Sequence, residues 1–546
     1  MKKLLSILIG GIGVLVLLGI ASALWISSMG KDDGGAGRPT YGTYTWPMPT
    51  ADTSAANVSA KQPTPRGGPI PRADGYVMGS QGHDFILPPM PPERKWDIHR
   101  RDNVFYNDSL KNWFFEGPRT RVGYFSTDPE NYASENQLPD TGCTYDLAWF
   151  ALPAGAKIVV RGEFPHMRYW SFATYSDKAI PLDMLQDFEI DPDAGSFNPF
   201  RPGISRDVSP RRYTLTIVNG SPPESRPRNT LYTLNEPGKT IALHMRNYIP
   251  DQGLDFLGQA GVPDVEVHLA DGKILKGAEA AAATASPMRG KQGPLTVSPK
   301  MWLALNSLPW RPADRTPAHD FKAEPMERFY NREYLLAKTF FPIFARDSMA
   351  VDKGGFWSNS ITRYAFKYLS QTYGSVYVVR GKMPSTPLTR DGDHKPMDQD
   401  ADMRYWSLCT MPPPANGAAT DCLYDEAVRP TLDSKGYFTV VISRAPDRPS
   451  NANVKCGVEW MEYGNGDGLV GGSSAFGTVG NRHTLVNPKF KQSWFAVTKP
   501  NSEVAAMGEY LPYVINMKTK ARFEALGCPV DKTKLDAMVN EAAPVR

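Results

Sequence analysis

Four arginines stand near aromatic side chains in this chain of 546 residues: Arg161 and Arg380 each sit in a Val-Val-Arg-Gly, and Arg168 and Arg404 each open an Arg-Tyr-Trp-Ser. A guanidinium is a planar fork of donors that grips a carboxylate or phosphate through parallel hydrogen bonds. These four, completed by Asn229 and Asn451, are therefore the candidate ligand-binding residues. The competing reading is structural: the same groups would tie loops to backbone carbonyls and stack on Trp170 and Trp406. Among eight histidines, His166 is the one beside such a motif. It could serve as a general base with Asp183 or Asp187, or be a satisfied structural histidine.

A second chemistry is metal binding. The stretch DPDAGSFNP places Asp191, Asp193, Ser196 and Asn198 close together. These are hard oxygen ligands of the kind calcium prefers, although the spacing is not that of an EF-hand. Calcium is the one cofactor the sequence suggests. A second acidic run, with Asp391, Asp393, Asp398, Asp400 and Asp402, reads as a solvated loop. Other templates fail. GDGLVG at 466–471 has the letters of a dinucleotide motif without a strand before it or a helix after it, and no nucleophile elbow, H-E-x-x-H or C-x-x-C occurs.

The elements that must position these residues are announced by repetition. VVRG (Val159), RYWS (Arg168), YTLTIV (Tyr213), RPRN (Arg226) and NYIP (Asn247) recur in the same order as VVRG (Val378), RYWS (Arg404), YFTVVIS (Tyr437), RPSN (Arg448) and EYLP (Glu509). Five ordered landmarks predict a duplicated structural unit. Alternation in RYWSFAT puts Trp170 and Phe172 on one strand face, with Tyr169, Ser171 and Ala173 on the other. The 47 glycines and 49 prolines favour short strands and turns. The expected fold is mainly β, sandwich or jelly-roll-like with a few helices, as two tandem related domains. Helical periodicity is read in EPMERFYNREYLLAKTFFPIFARDS (324–348) and NSITRYAFKYLSQTYG (359–374).

The ends and boundaries suggest a compartment. Leu4 to Ile26 carries no charge and follows Lys2 and Lys3, which predicts a membrane-spanning helix with its lysines in the cytoplasm. Cleavage after Ala23 would instead release a secreted protein. The expected organisation is an anchor at 1–30, a Gly/Pro/Ser-rich tether at 31–75, a first β-domain at 76–271, a linker at 272–299, and a second β-domain with a helical lead-in at 300–546. Export permits disulfides, and Cys409 with Cys422 is the candidate pair. A bridge closing that loop contributes about 3 kcal/mol in the chain-entropy model. With 61 basic and 57 acidic side chains and no long basic run, nucleic acid is excluded as a partner.

YWSFATY, NTLY at Asn229, HMRNYIP at His244 and the following GVPDVEV resemble a bacterial domain family of unknown function found in exported proteins. The likeness covers Val159 to Leu269 and, more faintly, the second copy. It implies fold and compartment, and no catalytic residue. Two functional classes follow as expectations. One is an envelope binding or structural module, held to the inner membrane by its N-terminal helix, that takes a small molecule, a glycan or another envelope protein. The other is a periplasmic hydrolase or lyase acting on a small organic acid or sugar.

Overall fold

In a computed structural model, the described residues are 113–115, 118–119, 138–140 and, with short internal gaps, 142–542. The apolar leader and tether lie outside them. Among the described residues no helix is long and apolar enough to cross a membrane.

Among the described residues the chain is mainly β, with four five-stranded sheets and few helices. Its first half contributes β1 (Pro118–Arg119), β2 (Cys143–Ala151), β3 (Lys157–Glu163), β4 (Met167–Ser176), β5 (Pro181–Gln186), β6 (Arg212–Val218), β7 (Thr230–Tyr232), β8 (Thr240–Pro250), β9 (Asp264–His268) and β10 (Ile274–Leu275). Its second half contributes β11 (Ala323–Pro325), β12 (Glu327–Arg328), β13 (Thr362–Ser370), β14 (Val376–Lys382), β15 (Met403–Met411), β16 (Asp421–Tyr424), β17 (Tyr437–Ser443), β18 (Glu459–Glu462), β19 (Phe476–Val486) and β20 (Tyr513–Asn516).

One sheet of the first half runs β1-β2-β8-β4-β5, and its counterpart runs β12-β13-β19-β15-β16. The other runs β10-β9-β3-β6-β7 against β11-β20-β14-β17-β18, so only the first edge strand differs in its place in the chain. Even the exceptional parallel pairing is shared, between β6 and β7 and between β17 and β18.

Strand alternation explains the layering. Trp170 of β4 turns toward the sheet containing β6, where its ring lies 4.9 Å from Tyr213, and Trp406 of β15 lies 5.0 Å from Phe438 of β17. Side chains of opposite parity turn the other way: Tyr248 of β8 packs on Tyr169 at 5.0 Å and on Tyr405 of the second half at 5.1 Å. The two sheets carrying β4 and β15 therefore face each other between the two outer sheets. Apolar residues from both halves form one continuous core. Burying large aromatic side chains in such a core is the main favourable term of folding.

Helices fill the margins: α1 (Gly277–Ala283), α2 (Pro299–Asn306) and α3 (Arg332–Phe340). The Asn331 side chain accepts from the Tyr334 amide and starts α3. Part of the expected linker is thus structured: β10 and α1 lie within 272–299, and Arg289 donates to the Trp149 carbonyl. The helix expected at 359–374 is instead strand β13. Tyr364 and Tyr368 fit a helical stripe, but Tyr364, Phe366 and Tyr368 fit a strand face equally well, and pairing with β19 decides between them. Disulfides join Cys409 to Cys422 and Cys456 to Cys528.

Candidate functional site

The two RYWS arginines meet. Both are fully buried. Arg168 Nη1 binds both oxygens of Asp425 in the other half (2.9 and 3.0 Å), and its Nη2 binds Glu426. In return, Arg404 Nη1 binds Asp187 Oδ2 at 3.3 Å. Each arginine also donates to the other's carbonyl, at 3.4 and 3.1 Å. Asp187 accepts the Trp170 and Phe188 amides, and Asp425 likewise accepts those of Trp406 and Glu426. Burial pushes the Asp187 carboxyl up to about 6 against the pull of Arg404. This reciprocal clamp fastens the halves together and leaves Asp187 fully buried.

The remaining sequence candidates are dispersed. Arg161 is half exposed and pairs with Glu266, whereas Arg380 is buried and bonds Asp433, Asp536 and Thr439. The Asn229 side chain bridges Asp191 and Thr214 backbone groups, and that of Asn451 donates to the Gly527 carbonyl. His166 lies against Arg211, whose Nη1 is 2.6 Å from Nε2. Asp183 takes a two-point bond from Arg226 and the Tyr232 amide. Asp191 is bound by Arg201 and Arg228; the Arg228 bond, opposed by partial burial and reinforced by Arg201, holds its carboxyl down to about 2. Asp193 accepts from Thr214, Ser196 donates its amide to the Asp193 carbonyl, and the Asn198 amide group binds the Asp187 and Ile190 carbonyls. The oxygens expected to gather around calcium thus answer to different partners. Among the described residues the one tight group of potential metal ligands is Asp140, Cys409 and Cys422, and its two sulfurs are joined to each other. Asp391 and Asp393 lie outside the described residues.

A cavity of about 90 Å³ opens between the two central sheets, lined by Tyr145, Arg246 and Trp357 on one side and by Tyr364, Tyr368 and Arg482 on the other. At ~15 Å³ for each water-sized position, it could hold roughly six waters or a small organic molecule. Helix α3 contributes Leu335 to its wall.

The cavity is built from matched parts. Tyr145 lies opposite Arg246 across β2 and β8, and Tyr364 opposite Arg482 across β13 and β19. Each guanidinium sits 5.9 Å from the ring of its tyrosine. The segment before each first strand crosses to the other half's arginine: Arg482 Nη2 donates to the Leu138 carbonyl, and Arg246 Nη2 donates to the Trp357 carbonyl at 2.8 Å. Leu138 (φ 49°) and Trp357 (φ 56°) are both left-handed, a conformation that disfavours residues with a Cβ. Two residues on, the Asp140 amide donates to Tyr145 Oη at 3.2 Å, and the Asn359 amide to Tyr364 Oη at 3.0 Å. Asp140 Oδ1 accepts the Gly142 amide just as Asn359 Oδ1 accepts that of Ile361.

The match fails at one chemical point. Asp140 Oδ2 receives Arg482 Nη1 at 3.2 Å and the Ser407 hydroxyl. Opposite it stands the neutral amide of Asn359. Ser171, which occupies the place of Ser407 in RYWS, and Asn359 hydrogen-bond the Tyr169 hydroxyl, and Arg246 hydrogen-bonds that of Tyr175. Among the described residues no carboxylate pairs with Arg246; its ionisable neighbours are tyrosines. At the cavity, Ser358 Oγ and Thr478 Oγ1 are buried with no hydrogen-bond partner among the described residues, whereas Tyr368 bonds Thr339.

Sequence reading missed this site. It aligned NYIP with EYLP, but the counterpart of β8 is β19: Asn247 stands opposite Trp170, and His483 opposite Trp406. HMRNYIP therefore matches GNRHTLV, with a single arginine in common. That lone identity was the available signal, and it was too short to read.

No family model and no curated protein matches the chain. Among solved structures, the chain is similar to an uncharacterized protein from Burkholderia cenocepacia, with 12% identity, a TM-score of 0.35 and coverage of 73% of this chain and 88% of that one. It is also similar to the VPA0106 protein from Vibrio parahaemolyticus, with 11% identity, a TM-score of 0.32 and coverage of 77% and 96%.

Proposed function

We propose that this protein is a small-molecule-binding module of the bacterial cell envelope, formed by tandem duplication of one β-sandwich unit and tethered by an N-terminal membrane helix. The observation that carries the binding role is the cavity between the central sheets, whose lining mixes aromatic rings and two guanidinium groups with buried hydroxyls, Ser358 Oγ and Thr478 Oγ1, that have no hydrogen-bond partner among the described residues. Each such atom costs about 1–3 kcal/mol when left unsatisfied. A cavity with such hydroxyls in its wall suits an occupant that arrives from outside. The matching strand orders support the duplication. The uncharged run from Leu4 to Ile26 and the resemblance of Val159–Leu269 to an exported family support the location.

The test is thermal unfolding of the full chain in detergent micelles against benzoate, acetate, glucose and calcium. A ligand that binds only the folded state stabilises it by RT ln(1 + [L]/Kd), about 2.7 kcal/mol at a hundredfold excess over Kd. A rise in Tm with an organic probe supports the reading, and a flat response to all four overturns it.

A further inference from the structure

We infer that a second cavity, outside the central one, binds a small aromatic carboxylate, its anionic group held by Lys338 and His319 and its ring lodged among tyrosines and phenylalanines. The two cavities share a wall that includes Phe329 and Leu335 but no charged group, so this site stands apart from the binding role proposed above.

The space exists because the chain changes sheets at Met326. Before it, β11 pairs with β20 of the outer sheet; after it, β12 pairs with β13 of the central sheet at two positions, Glu327 opposite Phe366 and Arg328 opposite Ala365. Among the described residues no strand covers that edge of β13 from Lys367 onward. Helix α3 lies there instead, with Tyr368 bonded to Thr339, and about 200 Å³ stays open beside it.

Five charged groups line or back this space as an alternating chain. Lys338 meets Glu327, which also takes Lys367 at 3.3 Å; Lys367 meets Glu324, which takes His319 Nε2 at 2.8 Å. Each carboxylate is thus shared by two cations. The bond from Glu324 raises the His319 pKa above its ordinary value, against partial burial and the nearby Lys367 and with help from Glu327. Once His319 is protonated, three cations face two carboxylates, and both ends of the chain, Lys338 and His319, line the cavity. Arg328 adds nothing to the balance, since both oxygens of Asp352 hold it at 2.6 Å. One negative charge from outside closes the account. An ammonium has three donors, and among the described residues Lys338 gives one, to Glu327. The first half has no such group: counting on from the cavity tyrosines, Lys367 of β13 corresponds to Ala148 of β2, which is core.

The rest of the lining is mostly aromatic, with Phe329, Tyr330, Tyr334, Phe366 and Tyr368. Such rings favour a flat, apolar body over a polyol. At ~15 Å³ for each water-sized position, the volume has room for one ring and a short acid side chain.

The experiment is titration calorimetry of the full chain in detergent micelles at pH 6, with phenylacetate and with phenylacetamide as its neutral analogue. The unaltered protein binds phenylacetate at least about tenfold more tightly than phenylacetamide, because only the former takes charge-assisted bonds. Lys338→Gln weakens phenylacetate about tenfold and leaves phenylacetamide unchanged, a split that general loosening of the fold would not give. His319→Gln weakens phenylacetate about threefold, as its charge is partly screened by solvent. Should Lys338→Gln fail to fold, His319→Gln, at an exposed side chain, still decides. Undiminished phenylacetate affinity in the folded variants overturns the inference. So does loss of phenylacetate binding in Arg246→Met, which would put the ligand in the central cavity and support the role proposed there. No phenylacetate binding at all also overturns the second site, while the central cavity stands or falls by its own thermal test.

Discussion

Two pairs of arginines straddle the junction between the halves, and they have been treated differently. In the clamp, Arg168 and Arg404 each meet a carboxylate from the opposite half, Asp425 and Asp187, with matching backbone partners on both sides. In the cavity, Arg482 has Asp140, whereas the partners of Arg246 among the described residues are the Trp357 carbonyl and tyrosines. The comparison teaches that matching residue types at matched positions do not settle a role. What settles it is whether the buried charge is neutralised by the chain. A guanidinium cannot shed its proton, so a buried one without a counterion is a standing electrostatic cost. Of these four, Arg246 is the one with no carboxylate partner among the described residues.

The largest effect is expected where the clamp is broken. Arg168→Met strands both Asp425 and Glu426 in the interior and should cost about 3–5 kcal/mol, measured by urea unfolding. Arg404→Met strands Asp187 alone, a carboxyl already pushed up to about 6 and so readily neutralised by a proton, and should cost less. Equal losses would undo the distinction between the two sides of the clamp.

The cavity pair should respond with opposite signs. Arg482→Met leaves Asp140 buried without its cation and should destabilise by about 3 kcal/mol. Arg246→Met, in ligand-free protein, removes a buried charge that has no carboxylate partner among the described residues and should be neutral or stabilising by up to about 2 kcal/mol. Parallel destabilisation in the two variants would mean that Arg246 is satisfied in the folded state after all.

A third contrast lies one residue past the cavity tyrosines, where the first half buries Asp146 and the second half has Ala365. Burial pushes the Asp146 carboxyl up to about 7, with only the Asn247 amide pulling it down. The folded chain therefore holds this proton after the unfolded chain has released it near pH 4. Stability contributed by the protonated form is full below that pH and is lost as pH rises toward 7, at up to about 1.4 kcal/mol per pH unit. Denaturation from pH 4 to 8 should show this slope in the unaltered protein and a flatter one in Asp146→Asn.

The smallest effect separates the two VVRG arginines. Arg161 is half exposed, so Arg161→Ala should change stability by less than about 1 kcal/mol. The corresponding Arg380→Ala removes a buried group bonded to two carboxylates and should cost several times more. Similar values for the two would show that burial is not what separates them.

How much of this was legible follows from how local each signal is. Alternation in RYWSFAT is a property of seven consecutive residues, so the opposite faces of Trp170 and Tyr169 could be read without coordinates. Four of the five landmarks fall on corresponding strands or loops, because strands keep their order even when loops change length. The fifth failed because EYLP lies beyond β19, in a stretch that resembles NYIP only in letters. Strand β13 was misread since aromatic residues at every second position also recur every fourth. The clamp residues Arg168 and Arg404 were singled out as ligand-binding candidates and proved to bind each other's half, for the same forked geometry serves an internal carboxylate as readily as a ligand's.

The sequence by itself determined the short alternating strands, the repeated order of their landmarks, and which side chains could not face water. Those follow from periodicity and from the free energy of removing aromatic surface from solvent. Only the tertiary structure decided which arginine receives a carboxylate. Asp140 and Arg482 are 342 positions apart, and no local pattern links them. Whether a buried charge is cancelled depends on what the opposite half brings within hydrogen-bonding distance, and that is a fact of packing, not of order along the chain.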